Sequence, residues 1–169
     1  DDITDIPLYL AVTAFLALTA VFISAVIEIN AGIYRTIFNA WILAAVVTAL
    51  AGIAGYFGAP GMEIFTRYGR AAGAFEDPNV FGPFLVLPSI YLIYRILTGR
   101  AYAIIAYAIP LLIIACGLLL SFSRGAWGLF AISALFMGGA TLISNTSGRI
   151  RLRIIVMGFA AILLLTIAV

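Results

Sequence analysis

Six stretches of this chain, 6–27, 37–57, 80–97, 101–120, 125–143 and 154–169, hold one charged residue between them, Arg95. Each approaches or meets the roughly 20 apolar residues that carry a helix across hydrocarbon. Backbone in lipid must satisfy its own hydrogen bonds, which leaves helices or closed barrels. The runs are too long and too uninterrupted for barrel strands. The expected fold is therefore all-α: one polytopic transmembrane helical bundle over 1–169, with six spans, the last of them cut short. Composition agrees, because 65% of residues are hydrophobic and 9% charged, with mean hydropathy +1.22. A soluble domain carries about 25% charged residues.

All nine basic residues are arginine, and there is no histidine, so histidine acid–base chemistry is excluded within these residues. The one cysteine, Cys116, lies in an apolar run, where it reads as a packing residue and forms neither an internal disulfide nor a multi-cysteine metal site. No metal and no cofactor is expected, and no nucleic-acid partner. The segment Asp1-Asp2-Ile3-Thr4-Asp5 is acidic, unlike the basic start of a signal peptide. With Asp1 at the start and an apolar stretch running to Val169, the chain is expected to be an internal fragment of a longer protein.

The arginines assign the faces. One face carries Arg35, Arg95, Arg100, Arg149, Arg151 and Arg153 against Glu28; the other carries Arg67, Arg70 and Arg124 against Asp1, Asp2, Asp5, Glu63, Glu76 and Asp77. By the positive-inside rule the first face, with the basic loop 144–153, is cytoplasmic, and the second, with the long loop 58–79, is extracytoplasmic. An inverted topology is the alternative. Three arginines thus lie on the face expected to be poor in positive charge, where an anionic ligand, above all a lipid phosphate or pyrophosphate, would account for them.

Each candidate has a plain reading beside the functional one. Asp77-Pro78-Asn79 is an N-cap followed by proline at the first helical position, and starts a helix whatever else it does. A helix start also aims free N–H groups at an anion. Arg67 and Arg70 are three apart and would share a face if helical; they read as interface arginines or as anion ligands among the small residues Gly69, Ala71, Ala72 and Gly73. Glu76 and Asp77 read as cap and solvated charge, or as a base. Arg124 sits between two apolar spans with almost no loop; Ser123 suits a helix cap and Gly125 a tight turn. Arg124 either snorkels to headgroups or holds an anion with its planar fork. The small residues of Ala51-Gly52-Ile53-Ala54-Gly55 and Gly138-Gly139-Ala140 read as close helix–helix packing, and Pro88 and Pro110 as kinks.

The pattern Arg70-x-x-Gly73-x-Phe75-x-Asp77-Pro78-Asn79-x-x-Gly82, followed by Ser121-x-Ser123-Arg124-Gly125-Ala126, resembles the O-antigen ligase and O-antigen polymerase superfamily. The run from Trp41 to Phe57 has the same look, and the resemblance covers 37–143. It implies a multi-pass glycosyltransferase of the bacterial inner membrane with its site facing the periplasm. A glycan would pass from an undecaprenyl-pyrophosphate carrier to lipid A-core, in polysaccharide or lipopolysaccharide biosynthesis, or to a growing polysaccharide; related enzymes glycosylate proteins. By motif match Arg70 and Arg124 are the expected catalytic residues, and Arg67, Arg70, Asp77, Asn79, Ser123 and Arg124 the substrate-binding set. The family carries a histidine, proposed as the base, in a large loop nearer its C-terminus; this sequence has none, so the fragment is expected to be inactive alone. The rival readings are a transporter or flippase for a lipid-linked or anionic substrate, and a structural membrane subunit.

Overall fold

The computed structural model describes residues 6–30, 32–100, 103–144 and 147–168, with side chains for these except 6, 8, 9 and 159–168. The acidic start 1–5 and part of the 144–147 connection lie outside the described residues. Six helices follow in order: α1 (Ile6–Ile29), α2 (Ile33–Tyr56), α3 (Pro78–Thr98), α4 (Ile104–Leu120), α5 (Arg124–Ser144) and α6 (Gly148–Ala168). The fold is all-α and membrane-embedded. Helices α2, α3, α5 and the 10–29 part of α1 are long and apolar enough to cross a membrane, and α4 is a shorter apolar helix of 17 residues.

Two compact units divide the chain, 1–40 and 41–169. The first holds α1 and the opening turns of α2. Leu10, Phe15, Leu18 and Phe22 of α1 are all more than half exposed, which suits a helix whose solvent is lipid.

The second unit is organised around α3, which packs against α4 and α5. Its core comprises Ala45 and Ala49 of α2, Phe81, Leu85 and Leu92 of α3, Ile114 and Leu118 of α4, and Ala126 of α5. The closest helix approaches use small residues. A Cβ on Gly82 would meet the Ala126 Cβ at 2.7 Å, and one on Gly117 the Ala49 Cβ at 3.0 Å. The glycines expected to pack helix on helix do something else. Gly52 faces Gly73 and Ala71, and Gly55 faces the Met62 carbonyl and Thr66, so this small face of α2 receives the 57–77 connection. Gly138 and Gly139 face open space. Pro83 and Pro88 lie inside α3 and Pro110 inside α4.

Two boundaries differ from the sequence reading. The long loop is not irregular throughout: it holds a one-turn 3₁₀ helix, Glu63–Phe65, and a hairpin of β1 (Thr66–Arg67) and β2 (Arg70–Ala71). Pro78 and Asn79, within the loop bounds 58–79, open α3 as the Asp77-Pro78 cap signal predicts. The basic segment Gly148–Arg153, read as loop, forms the first turns of α6. Arginine is a good helix former, and Arg153 has a partner there: its Nη1 donates to the carbonyls of Ile96 (3.2 Å), Leu97 (3.2 Å) and Gly99 (2.7 Å). These groups close α3, where carbonyls lack helical partners. At the same end, Arg95 donates to the hydroxyls of Tyr91 and Tyr107 and stacks over both rings.

Candidate functional site

Residues 63–79 and 121–127 meet at the N-terminal end of α3. The first segment is shaped by backbone that favours glycine. Tyr68 (φ 54°) and Gly69 (φ 69°) both adopt positive φ between β1 and β2, as a type I′ hairpin requires. Arg67 is therefore paired directly with Arg70. Cross-strand partners share a face, so the two arginines lie side by side on a hairpin, not on the helix considered from sequence.

Past the hairpin, Ala72 and Gly73 both donate to the Phe65 carbonyl, at 2.9 and 3.0 Å. Gly73 has φ 56°, and a Cβ there would lie 2.4 Å from Thr48 Oγ1 and 2.7 Å from Phe81. No other residue fits. Thr48 Oγ1 accepts from the Ala74 amide at 2.7 Å, tying the segment to α2. Asp77, extended at φ −123°, caps α3: its carboxylate accepts from the Asn79 amide at 2.7 Å, and Pro78 occupies the first helical position. The cap reading of Asp77 is thus what the structure shows, and Glu76 stays exposed beside it.

The second segment joins α4 to α5 in three residues, 121–123. Ser121 and Ser123 are buried, and Phe122 between them has φ 47°. The tight turn is thus made at Phe122, not at Gly125, which lies inside α5. Ser121 Oγ donates to the Leu118 carbonyl at 2.6 Å, which also accepts from Trp127 Nε1 at 3.1 Å. Ser123 caps α5, with Oγ accepting from the Ala126 amide at 3.4 Å and its carbonyl from Trp127 N at 3.0 Å.

Arg70 connects the two segments. Its Nε donates to the Ser121 carbonyl at 2.7 Å and Nη2 to Asn79 Oδ1 at 3.0 Å. Of the five N–H donors of a guanidinium, about three stay available to a ligand. Arg124 is the first residue of α5, exposed, three positions from the carbonyl that Arg70 holds. Neither Arg124 nor Arg67 forms a hydrogen bond or ion pair among the described residues. Beside Arg124 runs an aromatic series: Phe122 lies 6.2 Å from Tyr56 and 6.3 Å from Trp127, centroid to centroid.

The structure therefore brings together Arg70, Asn79 and the Ser121 backbone, with Asp77 and Ser123 capping the helices from which Asn79 and Arg124 project. Arg67 joins through the hairpin register. Sequence reasoning did not assign roles to Thr48 or to the Ser121 carbonyl. A threonine in an apolar helix carries no such signal, and a main-chain oxygen carries none at all. Among the described residues no three of His, Cys, Asp and Glu gather as a metal site would need. No protein-family model matches the chain, and no curated protein or solved structure matches it.

Proposed function

We propose that this end of the second unit binds the pyrophosphate of a lipid-linked glycan and promotes transfer of the glycan to an acceptor, in the manner of the O-antigen ligase and polymerase superfamily that its two motifs resemble. The observation that carries this reading is the Arg70 bridge: the residues of both motifs that the resemblance singles out meet through one guanidinium, bonded to Ser121 O and Asn79 Oδ1.

The chemistry suits such a site. An acceptor hydroxyl attacks the anomeric carbon and loses its proton to solvent, as the bond to the carrier oxygen breaks and negative charge grows on the departing pyrophosphate. Cationic donors already in place stabilise that charge without reorganising. Arg70 is held in place from two sides, and Arg124 keeps its donors for the pyrophosphate. The first amides of α5 add the positive end of a helix. The aromatic series Tyr56, Phe122 and Trp127 offers an apolar surface for the first isoprene units of the carrier. On this reading the site faces the periplasm of the bacterial inner membrane, and the acceptor is lipid A-core or a growing polysaccharide.

The test uses the full-length gene in a host lacking its own copy. Arg124→Ala and Arg124→Lys should reach the membrane at normal levels, transfer no glycan, and accumulate carrier-linked glycan. Normal transfer by both variants would remove Arg124 from the site and return the field to the transporter and structural readings.

A further inference from the structure

The tip of the 66–71 hairpin carries a tyrosine where its fold least welcomes one. Tyr68 has φ 54° and is 90% exposed, and it forms no ring contact or hydrogen bond among the described residues. A bulky side chain in left-handed backbone is a genuine outlier, and such outliers gather at functional sites. Asparagine or glycine would make the same turn without strain.

Tyr68 borders an open depression lined also by Thr66, Arg67 and Glu76. Arg67 and Glu76 are both exposed, and neither forms an ion pair with the other or with any described residue. The Thr66 hydroxyl already donates to the Glu63 carbonyl at 2.8 Å. The depression thus offers one aromatic face, one set of cationic donors and one anionic acceptor. A simple anion would be repelled by Glu76, and a cation by Arg67. A sugar ring suits all three: its C–H face lies on an aromatic ring, and its hydroxyls both donate and accept.

We propose that Tyr68, Arg67 and Glu76 form a carbohydrate subsite, with Tyr68 as the stacking platform for a sugar ring of the transferred glycan. The proposal deepens the transferase reading and rests on it for the identity of that glycan. A tyrosine that merely anchors a loop at the membrane surface needs neither left-handed backbone nor an unpaired acid and base beside it.

The experiment titrates carrier-free trisaccharides of glucose, galactose and N-acetylglucosamine into the full chain in lipid nanodiscs, read by saturation-transfer NMR. Tyr68→Asn removes the ring and keeps a residue suited to positive φ, so the hairpin survives. Glu76→Gln removes the charge alone. At least one trisaccharide should bind the unaltered chain. Tyr68→Asn should weaken it about threefold to tenfold, the order expected for a lost aromatic contact, and Glu76→Gln should weaken it less. Failure of every trisaccharide to bind, or equal binding by Tyr68→Asn, overturns the subsite. If sugar binds through Tyr68 while the unaltered full-length gene restores no transfer in the deletion host, the subsite stands and the transferase reading falls.

Discussion

Arg70 donates through Nε to the main-chain carbonyl of Ser121, 51 residues further along the chain, at 2.7 Å. That carbonyl lies at the end of α4, where helical geometry supplies no donor. Replacing Arg70 with lysine leaves one ammonium to serve two acceptors that a guanidinium reaches together. Arg70→Lys should cost about 1–3 kcal/mol of stability, the price of an unsatisfied buried carbonyl. Denaturant unfolding in detergent measures it, and an unchanged midpoint would show that the bridge contributes nothing.

Gly82 and Ala126 set the spacing of α3 and α5 where the site forms. A methyl group at Gly82 would stand 2.7 Å from the Ala126 Cβ and 3.0 Å from Ser121 Oγ. Gly82→Ala should destabilise by about 1–3 kcal/mol through overpacking. Combining it with Ala126→Gly should recover part of that loss. A double-mutant cycle reads the coupling; strict additivity would mean that the helices simply move apart.

Thr48 is the only contact through which α2 accepts a hydrogen bond from the Ala74 amide among the described residues. Thr48→Val keeps the shape and removes the acceptor, and should cost about 0.5–1.5 kcal/mol, the net worth of a hydrogen bond whose donor water can still reach. Amide exchange should quicken at Ala74, whereas Thr48→Ser should leave it protected. Equal exchange in both variants would rule out the hydroxyl as the anchor.

Arg153 closes α3 from another helix by donating to Ile96, Leu97 and Gly99. Arg153→Met keeps the apolar stem and loses the donors. The loss should be about 1.5–3 kcal/mol, the range for hydrogen bonds to a charged group. Arg100, exposed just beyond α3, should then be cleaved faster by trypsin. Cleavage at the original rate would separate α6 from the ordering of this turn.

Much of the helical framework was legible because lipid selects for it: an uncharged run of that length has few other fates in hydrocarbon. The start of α3 was legible too, since Asp77-Pro78 is a local instruction that needs no tertiary context. The hairpin was not. Two residues per strand give no alternation to detect, and Tyr68-Gly69 is not a usual turn pair. The arginines of Gly148–Arg153 read as loop because charge is scarce in spanning helices, and Arg153 is half-buried against carbonyls that only the fold supplies. Of the site itself, the side chains Arg70, Asn79 and Arg124 could be named from sequence, but Ser121 takes part through its backbone, which every residue shares.

The link between α4 and α5 has no slack. In three residues, 121–123, it presents the carbonyl for Arg70, turns the chain at Phe122, and caps the helix that begins with Arg124. One residue added or removed there would rotate α5 by about 100° and swing Arg124 to another face. The hairpin tip at Tyr68-Gly69 carries no such burden, since its ends are already fastened by Phe65 and Thr48. Related chains should therefore differ freely in length at the hairpin and hardly at all between the two serines, so that new specificities arise by lengthening the one while the other keeps count.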